Sequence, residues 1–133
     1  MTTGATVHAL RPMRVLLVTD DDQFGSRIAE AAAGQGVQLA RASTTDDLDT
    51  TSIRHEPNIV AVDGRRTLRR SARAAVGFAA RHPLIAVVLV ADGPPAVAVG
   101  GVRLVDAWRS PERLLGALEF ARLGLVEPGR SED

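Results

Sequence analysis

A short, unbroken apolar run recurs along this chain, with helical spacing between the copies. Arg14-Val-Leu-Leu-Val-Thr19, Asn58-Ile-Val-Ala-Val-Asp63 and Leu84-Ile-Ala-Val-Val-Leu-Val90 each lack the alternation of a half-exposed strand. Such runs read as strands covered on both faces, as in a parallel sheet, and the last and most apolar reads as central. Val37 to Ala42 alternates partially and suits a less covered strand, and residues 103–107 make a short fifth one. The intervening segments carry a 3.6-residue period. Residues 23–33 put Ile28, Ala31 and Ala32 on one face and stop at Gly34 and Gly36. Ser43 to Ile53 is a weaker helix opening at Thr45-Asp46-Asp47, and residues 66–80 turn Leu68, Ala72, Ala75, Val76 and Ala79 inward. The last helix has the clearest start: Ser110 as N-cap, Pro111 in first position, Glu112 in the first turn. Leu114, Leu115, Leu118 and Ala121 form its buried stripe, and Gly124 can close it. Strands alternating with helices define an α/β fold with a parallel sheet and helices on both faces. The segment Asp92 to Gly101 is too short and too rich in Pro and Gly for a full helix, so the fourth helix is reduced to one turn at most.

The 133 residues suit one domain, expected over 13–125, with a flexible leader over 1–12 and a flexible tail over 126–133. The chain has no cysteine, which rules out disulfide scaffolds and thiolate chemistry. Sixteen arginines balance sixteen acids and no lysine occurs, so global charge predicts neither a nucleic-acid nor a membrane surface. No apolar run reaches the roughly 18 residues of a membrane span, and no signal-peptide pattern opens the chain. A cytoplasmic protein is the resulting expectation.

In an open α/β sheet, functional groups gather at the carboxyl ends of strands beside the switch in strand order. Two such ends carry acid: Asp20, Asp21 and Asp22 after the first strand, and Asp63 after the third. If those strands are neighbours, the carboxylates converge and need a compensating cation, either a hard divalent ion such as Mg²⁺ or an arginine. Each acid also has a plainer role. Asp22 suits a helix N-cap, Asp20 and Asp21 suit a first turn, and Asp63 suits a turn after a strand.

The order and spacing of Asp20-Asp21-Asp22, Asn58 to Asp63, and Ser110-Pro111-Glu112 before an apolar helix resemble a response-regulator receiver domain of the CheY-like family, over about residues 13 to 125. The resemblance implies a flavodoxin-like five-stranded sheet of order 2-1-3-4-5. It also implies Mg²⁺ held by Asp20, Asp21 and Asp63, with Asp63 accepting phosphate from a histidine kinase. The chain departs from the family at several positions. Val90 stands where a Thr or Ser is usual, and Ala107 and Trp108 where Lys and Pro are usual. Leu104 replaces the aromatic switch residue, and Gly64-Arg-Arg-Thr-Leu68 lacks the usual proline. A phosphoryl group on Asp63 would lack two polar partners, each typically worth about 1–3 kcal/mol. Arg109 lies two residues beyond Ala107 and is a candidate substitute. Arg65 and Arg66, nearer in sequence, could instead pair with Asp63 and close the pocket without metal or phosphate.

Arg66, Arg69, Arg70 and Arg73 fall at i, i+3, i+4 and i+7, a cationic helix face. With Arg65 and Arg81 they make six positive charges between Asp63 and Asp92, a stretch without acid. A solvated face is the plainer reading and docking to an acidic partner the sharper one. Nucleic acid is disfavoured because no aromatic residues interleave the charges. The three histidines, His8, His55 and His82, show no paired spacing and read as surface residues; Trp108 reads as a lid over the core edge. The expected function is that of a stand-alone divergent receiver acting through protein contacts with a histidine kinase or a downstream regulator, with a homodimer left open. Lost partners around Asp63 tilt that reading towards a pseudo-receiver. The alternative is a small flavodoxin-like cofactor-binding protein or enzyme. Against it, three acids would repel a flavin phosphate after the first strand, and no glycine-rich phosphate motif occurs.

Overall fold

The apolar runs become strands of a single sheet. The computed structural model describes residues 12–92 and 100–125. In order these form β1 (Arg14–Val18), α1 (Asp22–Gly34), β2 (Gln38–Ala42), α2 (Leu48–His55), β3 (Ile59–Asp63), α3 (Leu68–Arg81), β4 (Ala86–Val90), β5 (Val102–Val105) and α4 (Pro111–Leu125). The strands lie in the order β2-β1-β3-β4-β5, all parallel, as the receiver resemblance implies. Val18 is level with Val62, and Asp63 with Val90, so β1, β3 and β4 end at one rim.

Alternate residues of each strand feed two cores. Val15, Leu17, Ile59, Ala61, Val88 and Val90 pack with Phe24 and Ile28 of α1 and Leu114, Leu115 and Leu118 of α4. Leu16, Val18, Val60, Val62, Val87 and Leu89 pack with Ala75 and Phe78 of α3, and Leu48 of α2 adds to that layer. Every residue of β3 and β4 is buried, which explains why their sequence shows no alternation.

Several boundaries differ from the sequence expectation for identifiable reasons. Residues 43–47 form a turn and not the start of α2. The Asp46 carboxylate accepts the Ser43 N–H at 2.8 Å, and Asp47 caps the helix by accepting the Asp49 N–H at 3.0 Å. For α1 the N-cap is Asp21, not Asp22; its Oδ1 accepts the Phe24 N–H at 3.0 Å. Asp22 is instead the first helical residue, exposed and paired with Arg41 at 3.2 Å. The fifth strand occupies Val102–Val105 and leaves Ala107 and Trp108 beyond it. Leu84, expected in the fourth strand, is 88% exposed in the preceding loop. Gly124 does not end α4, which runs through Leu125. The leader apart from Pro12, the tail, and most of the reduced fourth helix (residues 93–99) lie outside the described residues.

α3 shows the largest departure. It begins at Leu68, so Arg66 precedes the helix, and Leu68 is 49% exposed and not inward. Its anchors are Ser71, Ala75 and Phe78. Thr67 makes no side-chain cap, and the first turn holds Arg69 and Arg70 but no acid. Cations at that positive end of the helix dipole typically disfavour it by about 0.3–1 kcal/mol each. Packing of Phe78, and a bond from the Ser71 hydroxyl to the Asp63 carbonyl at 3.1 Å, hold the helix in place. At its far end His82 stacks on Phe78 with ring centroids 4.3 Å apart, and Arg81 and His82 both reach Asp49 of α2.

An arginine inside the acidic pocket

β1 leads into Thr19, whose side chain is buried at the rim. Its hydroxyl donates to Asp63 Oδ2 at 2.7 Å and accepts the Asp21 N–H at 3.0 Å. Asp63, the last residue of β3, is 9% exposed. Two residues on, Arg65 turns back and grips it side-on. Arg65 Nε donates to Oδ1 and Nη2 to Oδ2, both at 2.9 Å, and the Arg65 backbone N–H donates to Oδ1 at 3.1 Å. Nη2 also reaches Asp21 Oδ2 at 3.0 Å, so one guanidinium joins the carboxylates of two strand ends.

Two aromatic rings complete the enclosure. The Arg65 guanidinium carbon lies 4.1 Å from the Phe24 ring centre and 4.6 Å from that of Trp108. The two rings meet edge to face, 6.4 Å apart at 78°. Stacking of this kind favours a desolvated guanidinium over an ammonium. Trp108 donates its indole N–H to Asp92 at 2.8 Å.

The sequence-derived site residues thus divide. Asp21, Asp63 and Arg65 come together. Asp20 does not join them: its oxygens accept from the Ser43 hydroxyl at 2.7 Å, the Thr44 N–H at 3.0 Å and the Thr44 hydroxyl, on the β2 side. Val90 lies level with Asp63, fully buried, and its carbonyl accepts the Gly64 N–H at 2.7 Å. Ala107 is half-buried against the core. Arg109 is exposed, pairs with Asp92 at 3.9 Å and lies over Trp108, so its charge is directed to Asp92 and not to Asp63. Of the six positive charges thought uncompensated, Arg65 and Arg81 have acidic partners from other segments. Thr19 and Phe24 are pocket residues that sequence reasoning missed. The available signal was a hydroxyl ending a fully buried run immediately before the acids.

This donor set does not suit a metal ion in the arrangement described. Asp63 accepts from the Thr19 hydroxyl and three Arg65 donors, which uses the about four lone-pair sites of a carboxylate. Among the described residues no group of three acidic or histidine side chains is placed to hold a metal.

Burial pushes the Asp63 carboxyl up, but the bonds from Arg65 and Thr19 outweigh it and the net shift is downward. The Phe24 N–H and then Arg65 lower Asp21, with the more distant charge of Arg66 adding to them. Bonding to Asp63 raises Arg65 in turn, against the opposing effect of its burial. Because Asp63 is lowered from 3.8 on folding, its contribution to stability is present above that value and lost as pH falls through the folded value. Urea unfolding of wild type and Asp63→Asn should therefore show a stability gap that is constant at neutral pH and shrinks below about pH 4. A gap independent of pH would mean that Asp63 is not held as the anion.

No family model matches the chain, and no curated protein does. Solved structures do match. One is an atypical orphan response regulator described as having a phosphorylation-independent regulatory mechanism: 21% identity, 84% of this chain and 96% of that one, TM-score 0.64. Another is an orphan response regulator of H. pylori, at 21% identity over the same shares with TM-score 0.62. A third is the pseudo-receiver domain of CikA, at 16% identity over 87% of this chain and 98% of that one, TM-score 0.51. The chain has the receiver fold of response regulators. No helix among the described residues is long and apolar enough to cross a membrane.

Proposed function

We propose that this chain is a divergent receiver-type signalling domain that acts through protein contacts, with its acidic pocket set by Arg65 instead of by metal and phosphoryl transfer. The bidentate grip of Arg65 on Asp63 carries this reading. The guanidinium supplies the positive charge that the receiver resemblance assigns to Mg²⁺ and a lysine. Val90 offers no hydroxyl to a phosphoryl group. Asp63 remains the candidate phosphoacceptor, but Arg65 must first leave it. The fold's likeness to a regulator described as phosphorylation-independent points the same way. Partners in this reading are a histidine kinase or a downstream regulator, met in the cytoplasm.

NMR titration with Mg²⁺ and then beryllofluoride, a phosphoryl mimic, tests it. In wild type, millimolar Mg²⁺ should give weak shifts at most around Asp20, Asp21 and Asp63, and beryllofluoride should propagate none. Arg65→Ala should gain a saturable Mg²⁺ response that Asp63→Asn abolishes. Large shifts spreading from Asp63 in wild type on adding beryllofluoride would overturn the proposal.

A further inference from the structure

We infer that the arginine face at the start of α3 is a docking surface for an acidic segment of a partner protein. The inference is independent of how the Asp63 pocket is used. Arg66, Arg69, Arg70 and Arg73 are all exposed, and among the described residues none makes an ion pair or a side-chain hydrogen bond. Outside this face, among the described residues, Arg14, Arg41, Arg65, Arg81, Arg109 and Arg122 each meet a carboxylate, and those that do not (Arg27, Arg54, Arg103 and Arg113) fall singly along the chain. The chain as a whole is neutral, yet no acid occurs from Gly64 through Ala91. The positive charge is therefore concentrated by position and not by composition.

This concentration works against the element that carries it. Arg69 and Arg70 occupy the first turn of a helix with no acid there and no side-chain cap. A local arrangement that disfavours its own helix without a compensating contact is where a binding role is expected. The inward side of α3 is committed to the core through Ser71, Ala75 and Phe78, so the arginines are presented outward. Leu68, half-exposed beside them, adds an apolar contact. Arg65, held by Asp63 and Asp21, pins the loop that displays Arg66.

The chemistry selects the occupant. Guanidinium forks pair with carboxylates two bonds at a time, and positions 69, 70 and 73 span one helical turn, matching acids three or four residues apart on a partner helix. Nucleic acid fits less well. Residues 64–77 include no aromatic side chain for stacking, and the first one in α3, Phe78, is fully buried.

The test uses the full chain, labelled for NMR, at about 150 mM salt where diffuse attraction is screened. The probes are a synthetic helical peptide of Glu and Leu, its twin with Gln for Glu, and a DNA duplex. The Glu peptide should give saturable shifts centred on residues 66–73, and the Gln twin should bind about tenfold more weakly or less. Arg69→Glu with Arg70→Glu should weaken binding by about tenfold or more while the melting temperature holds or rises, because acid now sits at the helix start. The neutral pair Arg69→Gln with Arg70→Gln gives a second reading with a smaller loss. Equal binding of both peptides, or no shifts from either, would overturn the inference. So would tighter binding of the duplex at the same residues, which points to nucleic acid. Concentration-dependent shifts of this face without any probe would overturn it too, since they indicate a second copy of the chain.

Discussion

Arg65→Ala should destabilise the protein by about 3 kcal/mol at neutral pH, near the lower end of the loss seen when one partner of a buried ion pair is removed. The substitution leaves a carboxylate that is 9% exposed with the Thr19 hydroxyl and one backbone N–H as its remaining donors. It also strips the Phe24 and Trp108 rings of the group packed on them. Neutralising the acid should reverse much of the damage. Arg65→Ala combined with Asp63→Asn should be clearly more stable than Arg65→Ala alone, since an amide needs no counter-ion. Urea unfolding of the four proteins gives the coupling directly. Simple additivity would mean that the guanidinium and the carboxylate do not act as a pair.

Phe78→Ala should produce a loss of similar or greater size, about 3–5 kcal/mol, through the cavity left in the core between α3 and the sheet. Phe78 is fully buried and is the largest side chain that α3 puts into the core, the rest of its packing coming from Ala72, Ala75, Val76 and Ala79. The ring also supports His82, which bonds Asp49 of α2 at 2.5 Å. Hydrogen exchange should therefore show α2 loosening together with α3. A loss confined to α3 amides would separate the stacking contact from the α2 connection.

The sheet was legible because β3 and β4 are buried on both faces, which leaves a signal that other local structures rarely give. The strand order came from the receiver resemblance; the residues themselves said only that acids ending the first and third runs converge if those strands are neighbours. Side-chain-scale choices were harder to read. Asp20, Asp21 and Asp22 are identical in type, and their separate fates depend on single-residue rotations at a strand end. Asp20 turns to Ser43 and Thr44, Asp21 caps α1, and Asp22 meets Arg41. Of the α3 residues expected inward, Ala72, Ala75, Val76 and Ala79 do pack on the core; Leu68, the first residue of the helix, is half-exposed, and Phe78 was not singled out. That Arg65 could close the pocket was one alternative in the sequence. Its preference over Arg109 rests on a two-residue return of the chain and on rings from α1 and the loop after β5, contacts that no spacing rule encodes.

Asp21 has one further consequence. One of its oxygens secures the first turn of α1 through Phe24, the other secures Arg65, and Phe24 lies against that same guanidinium. Asp21 and Phe24 thus both border the guanidinium that covers Asp63. When Arg65 leaves Asp63, the acid that caps α1 loses a cationic partner and the Phe24 ring loses the group packed on it. An event at the β3 terminus is in this way registered at the first turn of α1.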